Sequence, residues 1–113
     1  MAKQKLITKA IENQLLKSPL YSTSENMDAK SICKFFNPYG VGTWYVFEDE
    51  KQSDGDWLFF GYAEIQCGEF GYFRLSELES VRINLFGVSA GIERDYYHTP
   101  VTKRELLNKS FES

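Results

Sequence analysis

Histidine and cysteine are nearly absent from this chain, and no apolar run approaches the length of a membrane span. His98 is the only histidine, and Cys33 and Cys67 are the only cysteines. Together they offer at most three strong zinc ligands, none at short metal-site spacing, so neither a metal nor another cofactor is expected. Two thiols so far apart make no disulfide framework, and the expectation is two buried free thiols in a reducing compartment. Cys–His nucleophilic catalysis would need a thiol exposed beside His98, whereas Cys67 falls at a hairpin turn and Cys33 in an apolar strand. His98 itself reads as a surface residue leading into Thr99-Pro100. A membrane helix would need roughly 18 consecutive apolar residues, and the segment around Lys3, Lys5 and Lys9 has no apolar region of signal-peptide length. A cytoplasmic location follows as the expectation. Positive charge is also short: 13 Lys and Arg against 16 Asp and Glu leave a net charge of -3 and a pI near 5.2. Gripping a phosphate backbone takes clustered Lys and Arg, so only a local basic patch could serve.

Aromatic residues are what the chain has in abundance, at 16% with nine Phe, seven Tyr and two Trp. They favour β-structure and some exposed aromatic surface. A length of 113 residues suits one domain, 1–113, with a single core and no staples. The organising stretch is Trp57 to Ser80, where two apolar runs flank Gly68-Glu69. A two-residue type II′ turn there predicts a hairpin pairing Cys67 with Phe70, Ile65 with Tyr72 and Ala63 with Arg74. Toward Trp57 both faces become apolar, Trp57 and Phe59 one way and Leu58 and Phe60 the other, which places the hairpin in the middle of the sheet and Phe59, Phe60 and Phe73 in the core.

Around it the chain reads in order. Ile7, Ile11 and Leu15 form one apolar stripe on a helix over about Thr8 to Lys17, stopped by Pro19. Ser22 and Glu25 stand at capping-box spacing for a short helical turn. A strand over Ser31 to Phe36 runs into the loop Asn37 to Gly42, and alternation from Thr43 to Glu50 puts Tyr45 and Phe47 on one face and Trp44 and Val46 on the other. Ser76 and Glu79 predict a capped short helix over 77–82. Asn84 to Gly91 has no clear periodicity, and Ile92 to Tyr97 reads as a further strand. Thr102 and Glu105 form a capping box and Val101 and Leu106 a hydrophobic staple, predicting a helix from about Lys103 to Lys109. Strands bracketed by helices give α+β: an antiparallel-dominated sheet of about five strands with the N- and C-terminal helices packed on it.

Four blocks stand in an order and spacing that resemble a known family: Phe36-Asn37-Pro38-Tyr39-Gly40-Val41-Gly42-Thr43-Trp44-Tyr45, Leu58-Phe59-Phe60-Gly61-Tyr62, Gly71-Tyr72-Phe73-Arg74-Leu75-Ser76-Glu77-Leu78-Glu79 and Gly91-Ile92-Glu93-Arg94-Asp95. The resemblance is to short bacterial proteins classed as a domain of unknown function, common on conjugative plasmids, integrated elements and phages, sometimes beside anti-restriction genes. It covers about residues 6 to 108, and it departs at Val88 to Ala90, which is longer than the family's usual approach to the last block. It lends no catalytic residues.

The residues with chemical potential are few. Asn37 to Gly42 lacks the Gly-Lys-Ser/Thr ending of a P-loop, so its glycines read as turn residues. Glu93 and Asp95 share a strand face opposite Arg94; an ion pair of Arg94 with Glu64, Glu77 or Glu79 is one reading, a binding cleft another and a catalytic carboxylate pair a third, without a supporting motif. Tyr39, Trp44, Arg94 and Tyr96 are the candidate binding residues. No nucleophile, base and orienting group occur at motif spacing, so the expected function is non-enzymatic: an accessory protein of a mobile element acting by protein–protein interaction, with a host defence protein as one candidate partner. The alternatives are a single-stranded nucleic-acid-binding module using stacked aromatics, or a small enzyme using Glu93 and Asp95.

Overall fold

Phe59, with no exposed surface, sits near the centre of the structure, a computed structural model that describes residues 6–65 and 67–112; Lys3 and Lys5 lie outside them. The five-stranded antiparallel sheet comprises β1 (Cys33–Phe36), β2 (Thr43–Lys51), β3 (Trp57–Glu64), β4 (Gly68–Arg74) and the two-residue β7 (Glu93–Arg94), in the order β4-β3-β2-β1-β7. Helix α1 (Lys9–Leu15) and the short α2 (Leu75–Ser80) cover one face, and α3 (Lys103–Glu112) covers the other. The expected α+β architecture is present, with helices on both faces of one sheet. Among the described residues no helix is long and apolar enough to cross a membrane.

Alternation decides which side chains meet which helix. Cys33, Phe35, Val46, Trp57, Phe59 and Phe73 pack with Leu15 of α1 and Leu78 of α2, while Tyr45, Phe47 and Tyr62 pack with Leu106 of α3, as period-two strands require. Helix α1 starts at the Thr8 cap, whose hydroxyl accepts from the Ile11 amide at 3.3 Å. At α3 the capping box forms in both directions, Glu105 N donating to Thr102 Oγ1 and Thr102 N to Glu105 Oε1, each at 3.1 Å.

Several expectations are corrected. The Trp57–Ser80 hairpin forms, but β4 is an edge strand and β2 is the middle one. Its register pairs Glu64 with Gly68, Tyr62 with Phe70 and Leu58 with Arg74, so the turn lies before Gly68 rather than across Gly68-Glu69. The reason is steric: a Cβ at position 68 would lie 1.8 Å from the Tyr62 hydroxyl oxygen, so glycine there lets Tyr62 pack over β4. Ser22 and Glu25 start no helix. Helix α2 begins after Arg74, with Glu77 Oε1 accepting the Arg74 amide at 3.1 Å, because Ser76 is engaged elsewhere, its hydroxyl donating to Asp56 Oδ2 at 2.6 Å. The unassigned stretch forms a separate hairpin of β5 (Ile83–Leu85) and β6 (Val88–Ala90), turning through Phe86 and Gly87 with φ of 52° and 83°; two successive positive φ values are those of a type I′ connection. Of the expected strand Ile92 to Tyr97, only Glu93 and Arg94 pair, with Phe36 and Phe35.

Strand β2 carries the irregularity that matters for function. Val46 pairs with Gly61 but Glu48 pairs with Phe60, leaving Phe47 as an extra residue. Such a bulge re-aims the side chains beyond it. It fits because position 61 has no side chain: a Cβ there would meet the Tyr45 carbonyl oxygen at 1.8 Å. A residue directly across a ladder shares its partner's face. Glu48 therefore joins Phe60 on the α3 face, and Asp49 joins Phe59 on the α1 face.

Candidate functional site

The two acids after the bulge are buried, Glu48 at 2% exposure and Asp49 at 3%, and a buried carboxylate must find donors or give up its charge. Glu48 finds them in the segment that crosses the sheet after α1. Its Oε1 accepts the Tyr21 amide at 2.6 Å and its Oε2 the Thr23 amide at 2.8 Å, together with the Thr23 hydroxyl. Tyr21 has φ 71°, a left-handed conformation costly for a bulky residue and held here by that hydrogen bond.

Lys103, at the first turn of α3 and 4% exposed, completes the arrangement from the other side. Its Nζ donates to the Thr23 carbonyl at 2.5 Å and lies 4.0 Å from Glu48 Oε2. The same ammonium stands over Phe47 and Phe60, 5.9 and 5.6 Å from the ring centroids. Burial lowers its pKa, opposed by the charge of Glu48.

Above this pair opens a cavity of 340 Å³, with Glu48 and Lys103 in its lining, aromatic walls from Phe60, Phe70 and Tyr72, and Met27 and Leu107 adding aliphatic surface. Phe70 stacks on Phe60 at 6.0 Å and Tyr72 meets Phe60 edge-on at 5.2 Å. Tyr21 and Tyr72 are both exposed and line the opening. A hydrogen bond with Tyr21 raises the Tyr72 phenol pKa, with burial and nearby Glu48 adding to it. An apolar concavity with few polar groups is the usual form of a binding site, and this volume is at the small end of the range.

Asp49 faces the opposite layer and is less well served. Its amide donates to Ser18 O at 3.0 Å, and it lines a cavity of 280 Å³ with Leu15, Pro19 and Leu20, but among the described residues its Oδ2 has no hydrogen-bond partner. Burial first, and then the charge of Glu48, push its pKa up to about 7. The folded state thus holds a proton that the unfolded chain, with a carboxyl near 3.8, releases, so this residue destabilises the fold increasingly as pH rises from about 4 to about 7. Asp49→Asn should therefore raise the melting temperature relative to wild type at pH 8 and do so much less at pH 4, as thermal melts of both proteins at each pH will show. A pH-independent difference would refute this account.

The residues singled out in the sequence lie elsewhere. Arg94 sits 4.7 Å over the Tyr96 ring and donates to the Leu6 carbonyl at 3.3 Å. Trp44 opposes Phe35 on one side and Arg94 opposes it on the other, so these three share a row across the sheet. Tyr39 is exposed in the loop before β2, its amide bound to Asn37 Oδ1 at 3.0 Å. Of the expected acidic partners of Arg94, Glu64 lies 3.6 Å from Lys109 and Glu77 caps α2. Asp95 approaches Lys34 at 3.7 Å. Glu93, Arg94 and Asp95 line none of the four cavities described.

His98 is half-buried rather than on the surface, its Nε2 2.7 Å from Ser31 Oγ, which also accepts the Val101 amide at 3.0 Å. Ser31 is itself buried, so the pair ties two segments together and offers no accessible nucleophile. Burial lowers the His98 pKa, with Asp95 opposing. Cys33 is buried, its pKa raised to about 12 by desolvation. Cys67 is exposed, against the expectation that both thiols are buried, because the hairpin turn precedes Gly68. Among the described residues no group of three or more His, Cys, Asp or Glu could hold a metal ion.

Residues 6–106 match the model of a family described as "Protein of unknown function (DUF2958)". No curated protein and no solved structure matches the chain.

Proposed function

Since the chain belongs to the family described as protein of unknown function DUF2958, we propose that it works by binding, as a cytoplasmic, non-enzymatic accessory protein of a mobile genetic element whose partner is another protein. The observation carrying this reading is the open aromatic cavity between β3, β4, α3 and the Tyr21–Met27 segment, with exposed Tyr21 and Tyr72 at its mouth. Aromatic anchors and pockets concentrate the energy of protein interfaces. The mobile-element setting rests on the family resemblance in the sequence, and it favours a host defence protein as the partner class.

The test is affinity capture from the host with nuclease treatment, comparing wild type with Tyr21→Ala/Tyr72→Ala and a control, Tyr97→Ala, at another exposed aromatic. A specific protein should be retained by wild type and control and reduced about ten-fold or more by the double variant, as loss of interface anchors predicts. Equal capture by all three, or no protein surviving nuclease, would reject the reading. Binding to purified single-stranded nucleic acid that weakens steeply with salt would favour the competing reading instead.

A further inference from the structure

The Lys103 ammonium has three N–H donors, and among the described residues it makes one hydrogen bond, to the Thr23 carbonyl, with Glu48 Oε2 4.0 Å away. Lys103 lines the 340 Å³ cavity, and its Nζ stands 5.6 Å from the centroid of Phe60, one of the cavity's aromatic walls. Glu48, in contrast, already accepts from two backbone amides and a hydroxyl. The polar end of the cavity therefore has donors to give and little acceptor capacity left. Its charge is already balanced, because a buried carboxylate faces the buried ammonium, and an anionic ligand would add an uncompensated negative charge beside Glu48.

We infer that this cavity accepts the side chain of a tyrosine from the partner protein, its ring between Phe60, Phe70 and Tyr72 and its hydroxyl oxygen accepting a hydrogen bond from Lys103. Among the side chains built on a six-membered carbocycle, phenylalanine brings no acceptor and tryptophan brings only a donor, whereas the tyrosine phenol is neutral at physiological pH and has an acceptor at its far end. Offset and edge-on packing of the wall rings leaves aromatic faces and edges available to a further ring. The inference rests on the protein-binding reading and specifies the anchor chemistry of that same site.

The experiment uses p-cresol and toluene, probes matched in shape and differing by the hydroxyl, titrated into isotope-labelled full-length protein and followed by NMR. p-Cresol should bind about ten-fold or more tightly than toluene, the ratio expected of a hydrogen bond from a charged donor, with shifts centred on Phe70, Tyr72, Lys103 and Leu107. Lys103→Met should abolish that preference while leaving toluene binding. Should that variant fail to fold, the wild-type ratio decides alone, and Tyr72→Ala should weaken both probes together. Equal affinities, a preference for toluene, shifts away from the cavity, or no binding of either probe up to its solubility would overturn the inference. If the probes fail while capture of a protein still depends on Tyr21 and Tyr72, the binding reading stands and the tyrosine anchor falls.

Discussion

Glu48→Ala should destabilise the protein by about 3 to 5 kcal/mol, the range found when one member of a buried ion pair is removed. The Lys103 ammonium, 4% exposed, would lose the facing carboxylate, and the part-buried amides of Tyr21 and Thr23 would lose their acceptor, which adds a smaller cost. Total stabilities of small domains are only about 5 to 15 kcal/mol, so this one change can leave the chain largely unfolded at physiological temperature. Urea titration monitored by tryptophan fluorescence measures the effect. Glu48→Ala combined with Lys103→Met should recover part of the loss, because the unpaired charge is gone, while the orphaned amides remain. A double variant no more stable than the single one would show that the ion pair is not the source.

Phe59→Ala is expected to cost a similar amount, about 3 to 5 kcal/mol, for a different reason: a large ring leaves a cavity that close-packed neighbours cannot fill. Phe59 packs on Phe35, Trp57 and Phe73 with centroid separations of 6.1, 6.5 and 5.6 Å. Phe60, expected in the core from its place in the same apolar run, is half-buried and lines the open cavity. Phe60→Ala should accordingly cost distinctly less than Phe59→Ala, because its ring already borders open space. Equal losses from the two substitutions, measured by chemical unfolding, would contradict the assignment of Phe59 to the sealed face and Phe60 to the open one.

The candidate site was poorly legible in the chain, and the reason is specific. Glu48 and Asp49 stand in Phe47-Glu48-Asp49-Glu50-Lys51, a charge-rich stretch that reads as the solvated end of a strand entering a turn. Only the pairing of β2 with the full length of β3 carries those acids into the interior. One signal was present, since an isolated glycine in a strand marks a bulge or a close backbone approach, and Gly61 is such a residue. Nothing local says that Lys103, one residue past its cap, meets Glu48 on the face of the sheet that α3 covers. The charge triplet Glu93-Arg94-Asp95 stood out instead because density of charge is visible in one dimension and burial is not.

What the amino-acid order determined lies within a few residues of chain: alternation that distinguished the two faces of β2 and β3, the Thr102–Glu105 capping box that opens α3, the aliphatic stripe of α1, and from these the α+β class. Such features follow from the fixed side-chain periods of strands and helices and from local hydrogen bonds, so neighbouring residues suffice to specify them. Tertiary packing decided the rest: that β2 and not the Trp57–Ser80 hairpin is the middle of the sheet, that the turn precedes Gly68, and that a bulge sends Glu48 to α3 and Asp49 to α1. These outcomes turn on contacts between residues far apart in the chain, the Tyr62 hydroxyl over Gly68 and the Tyr45 carbonyl against Gly61. Steric fit between distant backbones has no local periodicity, and it is what placed a buried carboxylate and a buried ammonium beside an aromatic cavity.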